Sequence, residues 1–185
     1  KSVDAAVTWE PDLSGAVKAR SDEAYILVST AAATNVIADC LVVQSDLIAK
    51  APETLARVLQ AVAQHHGGIG ESARAAKLFE EARSLTQDRA QRDAIDCGLG
   101  MMIQRLGRLD EAATMLARVA ADPSAEAESR ANCASNLSTV RLNLDDIPGA
   151  LQAADEAWAH WQAMPMPLHQ FEGDLLVLKG SILMY

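Results

Sequence analysis

The residues able to do chemistry in this sequence are few and poorly grouped. His65 and His66 are adjacent, so on a helix they point to different faces and cannot chelate one ion together. A helix C-terminus, which favours partial positive charge, accounts for them without catalysis. His160 and His169 stand apart, with no carboxylate at an informative spacing. Cys40, Cys97 and Cys133 are odd in number, widely separated and without a C-x-x-C pair. That pattern reads as three small core residues and not as a disulfide framework or a zinc site. The paired acids Asp110-Glu111 and Asp145-Asp146 sit where helices begin, a position the helix dipole favours. The run Gly67-Gly-Ile-Gly70 follows a helix and not a strand, so it is a turn spacer and not a phosphate cradle. No phosphate-loop, nucleophile-elbow, zinc-protease or dinucleotide motif is present. The sequence therefore offers no catalytic residue, no cofactor site and no metal site, and it reads as a protein that is not an enzyme.

The elements that would position these residues are mainly helices. Half of the 185 residues are apolar but only 4% are aromatic, and alanine is abundant. This composition favours closely packed helices. The net charge is −9, spread along the chain: residues 1–64 hold eight acids and five bases, and residues 65–185 hold seventeen and eleven. Acidity of this kind argues against nucleic acid or anionic lipid as partner. No apolar run reaches the ~18 residues that cross a bilayer, so no membrane insertion is expected. The chain starts at Lys1 directly before a strand-like run and stops inside the apolar helix pattern that ends Ile182-Leu-Met-Tyr185. It reads as a fragment whose last repeat is incomplete.

Strand candidates lie at 3–9, 24–30 and 36–44, with short helices after Pro11 and from Ser45 or Asp46 to Lys50. Residues 31–35 read as a loop. The succession Val3-Asp-Ala-Ala-Val-Thr-Trp-Glu-Pro11, Asn35-Val-Ile-Ala-Asp39, Leu41-Val-Val43, Asp46-Leu47 and Pro52-Glu53 resembles part of one lobe of the solute-binding proteins of nitrate/taurine-type ABC importers. The resemblance covers about residues 2–64. It implies a cleft with Trp9 and Glu10 beside a small anionic solute, provided that the missing lobe exists. The plainer alternative makes Trp9 core and Glu10 a solvated turn residue.

From Pro52 the pattern becomes helical throughout. Leu55, Val58, Leu59 and Val62 form one face of a first helix. Ala75, Ala112 and Ala150 then recur at periods of 37 and 38, preceded by aligned turn residues Gly70, Gly107 and Asp145. Phe79, Leu116 and Ala154 follow four residues later, and Ala82, Val119 and Ala157 seven later. Small residues at helix crossings with larger ones between them suit a stack of helical hairpins. Helices are expected at 52–66, 71–86, 89–106, 109–121, 125–144, 147–163 and 168–184. Trp158 and Trp161 share a helix face and are expected to pack in the core, with anchoring of a partner as the alternative, and Pro165 and Pro167 end that helix. With Leu99-Gly100 and Leu137-Ser138 where the family has its Leu-Gly pair, the region resembles the tetratricopeptide repeat (TPR) family. It departs from that family in period, which is longer than 34, and in its first helices. There Asp96 and Ala134 replace the family's Trp, and Ile103 and Arg141 its Tyr.

The expected fold is thus mainly α: TPR-like antiparallel hairpins in a right-handed solenoid over 51–185, preceded by a small α/β segment over 1–50. The TPR register implies a polar, amide-rich groove on the concave face. Its residues would be Arg57, Gln60 and Gln64, then Met101, Gln104 and Arg105, then Asn132, Ser135, Thr139 and Asn143. The lysines of the family's chaperone-carboxylate clamp are missing. The reading is a non-enzymatic scaffold holding a protein or peptide partner. The alternative is a periplasmic importer component with a helical extension. The compartment follows the choice, periplasmic for the receptor and cytoplasmic for the scaffold.

Overall fold

The computed structural model describes residues 5–8, 12–19, 24–29, 40–164 and 169–184. The chain divides into two compact units, Lys1–Leu55 and Ala56–Tyr185.

In the first unit, strands β1 (Ala5–Thr8), β2 (Ala24–Ser29) and β3 (Cys40–Gln44) form a sheet of order β1-β3-β2, with β3 antiparallel to both neighbours. Val42 of β3 faces Ala6 of β1 and Ile26 of β2, and an irregularity between Ile26 and Val28 shifts the β2 register. Helices α1 (Asp12–Ala19) and α2 (Ser45–Lys50) accompany the sheet. Trp9, Glu10 and the loop expected at 31–35 lie outside the described residues.

Seven helices follow: α3 (Pro52–Gly68), α4 (Ser72–Leu85), α5 (Arg89–Arg105), α6 (Leu109–Ala120), α7 (Ala127–Asn143), α8 (Ile147–Gln162) and α9 (His169–Ile182). Their limits lie within about two residues of those read from periodicity. In α3 the buried face is Leu55, Ala56, Leu59 and Ala63, while Val58 is exposed. The expected stripe through Val58 and Val62 was therefore set one residue off. Alanines, too weakly apolar to stand out in an alanine-rich sequence, fill half of the true one.

Three turns join α3 to α4, α5 to α6 and α7 to α8, and they are built alike. Gly70, Gly107 and Asp145 all have positive φ, at 87°, 79° and 59°. The next residue's amide reaches back to close the helix end: Glu71 to the His66 carbonyl, Arg108 to Ile103 and Asp146 to Arg141, at 2.9, 3.2 and 2.9 Å. Gly70, Gly107 and Asp145 themselves donate to Gly67, Gln104 and Leu142. This double closure satisfies carbonyls a helix end otherwise leaves open, and it needs a left-handed residue. The turn thus dictates Gly, or an Asp that tolerates the conformation.

The nine residues aligned by period form the spine of the core. Ala75, Ala112, Ala150, Phe79, Leu116, Ala154, Ala82, Val119 and Ala157 are all buried. Packing within each hairpin is complementary. A Cβ on Gly100 would lie 2.7 Å from Leu116 Cγ, so Leu116 needs the glycine. One repeat later the equivalent positions are Ser138 and Ala154: the side chain has moved from the second helix to the first. The added Ser138 hydroxyl donates to the Ala150 carbonyl at 2.8 Å, which satisfies a buried polar group. The longer period is taken up in α5 and α7, 17 residues each. At the end of the stack α9 lays Leu175 and Ile182 inward, and Ile182 joins Ala150 and Ala154.

Candidate functional site

Helices α3, α5 and α7 are the first helices of successive hairpins, and the second unit has an open groove of about 420 Å³ on the face they form. Arg57, Gln60 and Gln64 of α3 make one wall. Gln91, Ala94 and Cys97, three residues apart on α5, form the middle. Glu126, Glu128, Ser129 and Asn132, at and just before the start of α7, make the other wall. Asp88 caps α5, its carboxylate accepting from the Ala90 and Gln91 amides at 2.9 and 3.3 Å. This fixes where the α5 wall begins.

The groove brings together four of the ten residues expected from the TPR register: Arg57, Gln60, Gln64 and Asn132. Met101, Gln104, Arg105, Ser135, Thr139 and Asn143 are not in its lining. They continue the same helical stripes toward the C-terminal ends of α5 and α7. Arg105 has another task there. Its guanidinium donates to the Gly67 carbonyl at 2.7 Å, tying the ends of α3 and α5. The Thr139 hydroxyl turns back to the Ser135 carbonyl at 3.4 Å. Asp88, Gln91, Cys97, Glu126, Glu128 and Ser129 were missed. Stepping three and four residues back from Met101 and Asn132 would have reached most of them.

Cys97 and Cys133 form a disulfide, contrary to the expectation of three independent core cysteines. Their separation of 36 residues, close to one repeat, sets them on neighbouring first helices with Cα atoms 5.2 Å apart, within bridging range. Distance in sequence misled because the repeat folds it away. Cys97 and Cys133 are both buried, so the bridge lies under the groove and pins α5 to α7.

A second constellation lies at the contacts of α4, α5 and α6. Asp96, where the TPR family has Trp, is fully buried. Its carboxylate accepts from Arg83 Nε at 2.6 Å and from Arg118. Asp93 is also buried, with Arg118 at 3.6 Å and Arg89 at 3.8 Å. Arg83, Asp96 and Arg118 border a hollow of about 480 Å³ together with Glu111 and Met115. The cations there are already matched by buried carboxylates, so the cluster reads as a structural network.

The remaining titrating groups have local explanations. His66 Nδ1 lies 2.7 Å from Glu71 Oε2 across the α3–α4 turn. Burial, reinforced by Arg130, pushes His160 below the usual histidine range. The hydroxyl and amide of Ser124, with help from Arg89, hold Asp122 down at about 2. Burial and the neighbouring Glu80 raise Glu81. The Trp158 and Trp161 rings meet at a tilt of 40° with centroids 4.9 Å apart, Trp161 buried and Trp158 half-buried. Among the described residues no cluster of three or more His, Cys, Asp or Glu could hold a metal. Nor is any helix long and apolar enough to cross a membrane.

No protein-family model matches the sequence, and a search of curated proteins finds no match. Solved structures do match. PcrH from Pseudomonas aeruginosa aligns with a TM-score of 0.58 at 20% identity, over 71% of this chain and 93% of its own. The Yersinia enterocolitica type III secretion chaperone SycD, in complex with a peptide of the translocator YopD, aligns with a TM-score of 0.54 at 16% identity, over 69% and 92%. A Podosopora anserina kinesin light chain protein of nearly identical TPR-like repeats aligns with a TM-score of 0.52 at 18% identity, over 72% and 75%. At these identities the likeness establishes the fold: the chain carries a TPR-like helical solenoid. Nothing in the comparisons supports the solute-receptor resemblance of residues 2–64.

Proposed function

We propose that this protein is a non-enzymatic scaffold that holds an extended peptide or an unfolded protein segment on the face formed by α3, α5 and α7. The observation that carries the reading is the groove itself. It is open, and α3 and α7 turn side-chain amides and a hydroxyl into it from its two walls: Gln60, Gln64, Asn132 and Ser129. An extended backbone carries an unpaired donor and acceptor at every residue, so a wall of amides, each able to donate and accept, recognises it without demanding one sequence. The peptide-bound chaperone SycD has a similar fold and adds weight.

Binding of a randomised nonapeptide library, followed by fluorescence anisotropy, tests the reading. A chain carrying Gln60→Ala, Gln64→Ala and Asn132→Ala loses at least tenfold in affinity, the loss of about three hydrogen bonds of ~0.5–1.5 kcal/mol each. These residues are exposed or half-buried, so the fold survives their removal. A wild-type chain that binds no peptide, or a triple variant that binds as well as wild type, overturns the proposal.

A further inference from the structure

The charge of the groove is lopsided, and this specifies its occupant. Asp88, Glu126 and Glu128 line it against a single cation, Arg57 on the opposite wall. Glu126 and Glu128 are exposed, and neither forms an ion pair among the described residues. The arginines nearest in sequence are engaged elsewhere. Arg89 pairs with Asp122 and Asp93, Arg92 donates to the Thr86 carbonyl, and Arg130 donates to the Ala120 carbonyl. The α7 N-terminus offsets about half a unit of this negative charge. Two carboxylates exceed that, so the wall stays negative.

A second observation points into the same corner. Ser129 is 6% exposed and lines the groove, yet its hydroxyl has no hydrogen-bond partner among the described residues. The hydroxyl is not among the enclosed side-chain atoms that lack a partner, so the oxygen itself keeps access to the groove. Here the free direction opens into the groove, beside Glu126, Glu128 and Asn132.

We propose that the occupant is a peptide bearing a lysine or arginine, whose cationic head enters between Glu126 and Glu128 while its backbone takes the Ser129 hydroxyl and the Asn132 amide. This rests on the groove being the binding face and adds which peptides it prefers. An acidic ligand would meet the Glu126–Glu128 wall and be repelled, so the site reverses the polarity of a carboxylate clamp.

The test uses the full chain and a positional-scanning library of amidated nonapeptides in which one position at a time is fixed as Arg, Ser or Glu. Wild type prefers the Arg sub-library at one position by about fivefold over Ser, the worth of two exposed charge pairs, and the preference shrinks in high salt. Glu126→Gln with Glu128→Gln abolishes the preference while leaving the Ser sub-library's affinity within twofold. Ser129→Ala weakens all three sub-libraries alike. Equal binding of Arg, Ser and Glu sub-libraries, still sensitive to Gln60 and Asn132, overturns this inference and leaves the groove reading intact. Absence of binding by every sub-library overturns the groove reading itself.

Discussion

The network around Asp96 permits a prediction whose sign depends on which partner is removed. Asp96 is fully buried, whereas the Arg83 and Arg118 side chains are 47% and 50% exposed. Replacing Asp96 by Asn removes the charge from the centre. The two guanidinium groups, half in water already, are rehydrated, and the cost is the charge assistance of two hydrogen bonds, about 1.5–3 kcal/mol in all. Replacing both arginines by Met leaves a buried carboxylate with neither partner, and Asp93 loses its Arg118 contact as well. Stranding a buried charge costs about 3–5 kcal/mol. The double variant Arg83→Met, Arg118→Met is therefore less stable than Asp96→Asn. Adding Asp96→Asn to the double variant restores about 1–3 kcal/mol, because the stranded charge is then gone. Urea unfolding at pH 7 gives the order wild type, Asp96→Asn, triple, double. If the triple variant is no more stable than the double, or the double no worse than Asp96→Asn, the network does not stabilise the fold as argued here.

Three further perturbations follow from the same geometry. Opening the Cys97–Cys133 bridge by Cys97→Ser with Cys133→Ser removes a link across 36 residues, worth about 4 kcal/mol in loop entropy, and thermal denaturation with and without a dithiol should show wild type falling to the variant's midpoint. Asp145→Gly relieves a left-handed aspartate at φ 59° and stabilises by about 0.5–1 kcal/mol, whereas Gly107→Ala at φ 79° destabilises by about 1 kcal/mol, both readable from urea midpoints. His160 has a folded pKa below 6.5 through burial and Arg130, so the unfolded chain takes the proton first, and stability is lost as pH falls below 6.5 toward the folded value. His160→Gln should flatten that part of the curve of thermal midpoint against pH, and an unchanged slope would place its origin elsewhere.

Much of the fold was legible because a repeat writes its constraints several times. One Gly followed by a Leu and an Ala says little, but Gly70, Gly107 and Asp145 aligned at a fixed period identify the left-handed closing residue. Burial of the nine aligned residues follows from the same register. Compensation across space was less legible. The replacement of Trp by Asp at position 96 was visible, but the residues that make it tolerable are on other helices. Arg83 and Arg118 lie 13 and 22 residues away, and each looks like an ordinary surface cation. The Gly100–Leu116 and Ser138–Ala154 exchange hid for the same reason: each partner alone is an unremarkable small or large residue.

The groove shows a different limit. Periodicity determines which face of a helix a residue lies on, and Arg57, Gln60, Gln64 and Asn132, expected on one face, line one groove. It does not determine how far along the helix the open space extends, because that depends on where neighbouring helices converge. Toward the C-terminal ends of α3 and α5, Arg105 donates to the Gly67 carbonyl and Met102 packs against Gly67, where a Cβ would lie 2.8 Å from the sulfur. Glycine at 67 is thus a packing requirement, and on α5 and α7 the groove is lined from their N-terminal halves, with Glu126, Glu128 and Ser129 among the lining residues. A residue's phase along the helix assigns its direction, but which residues of that phase line open space depends on the neighbouring helices, and periodicity within one helix carries no record of them.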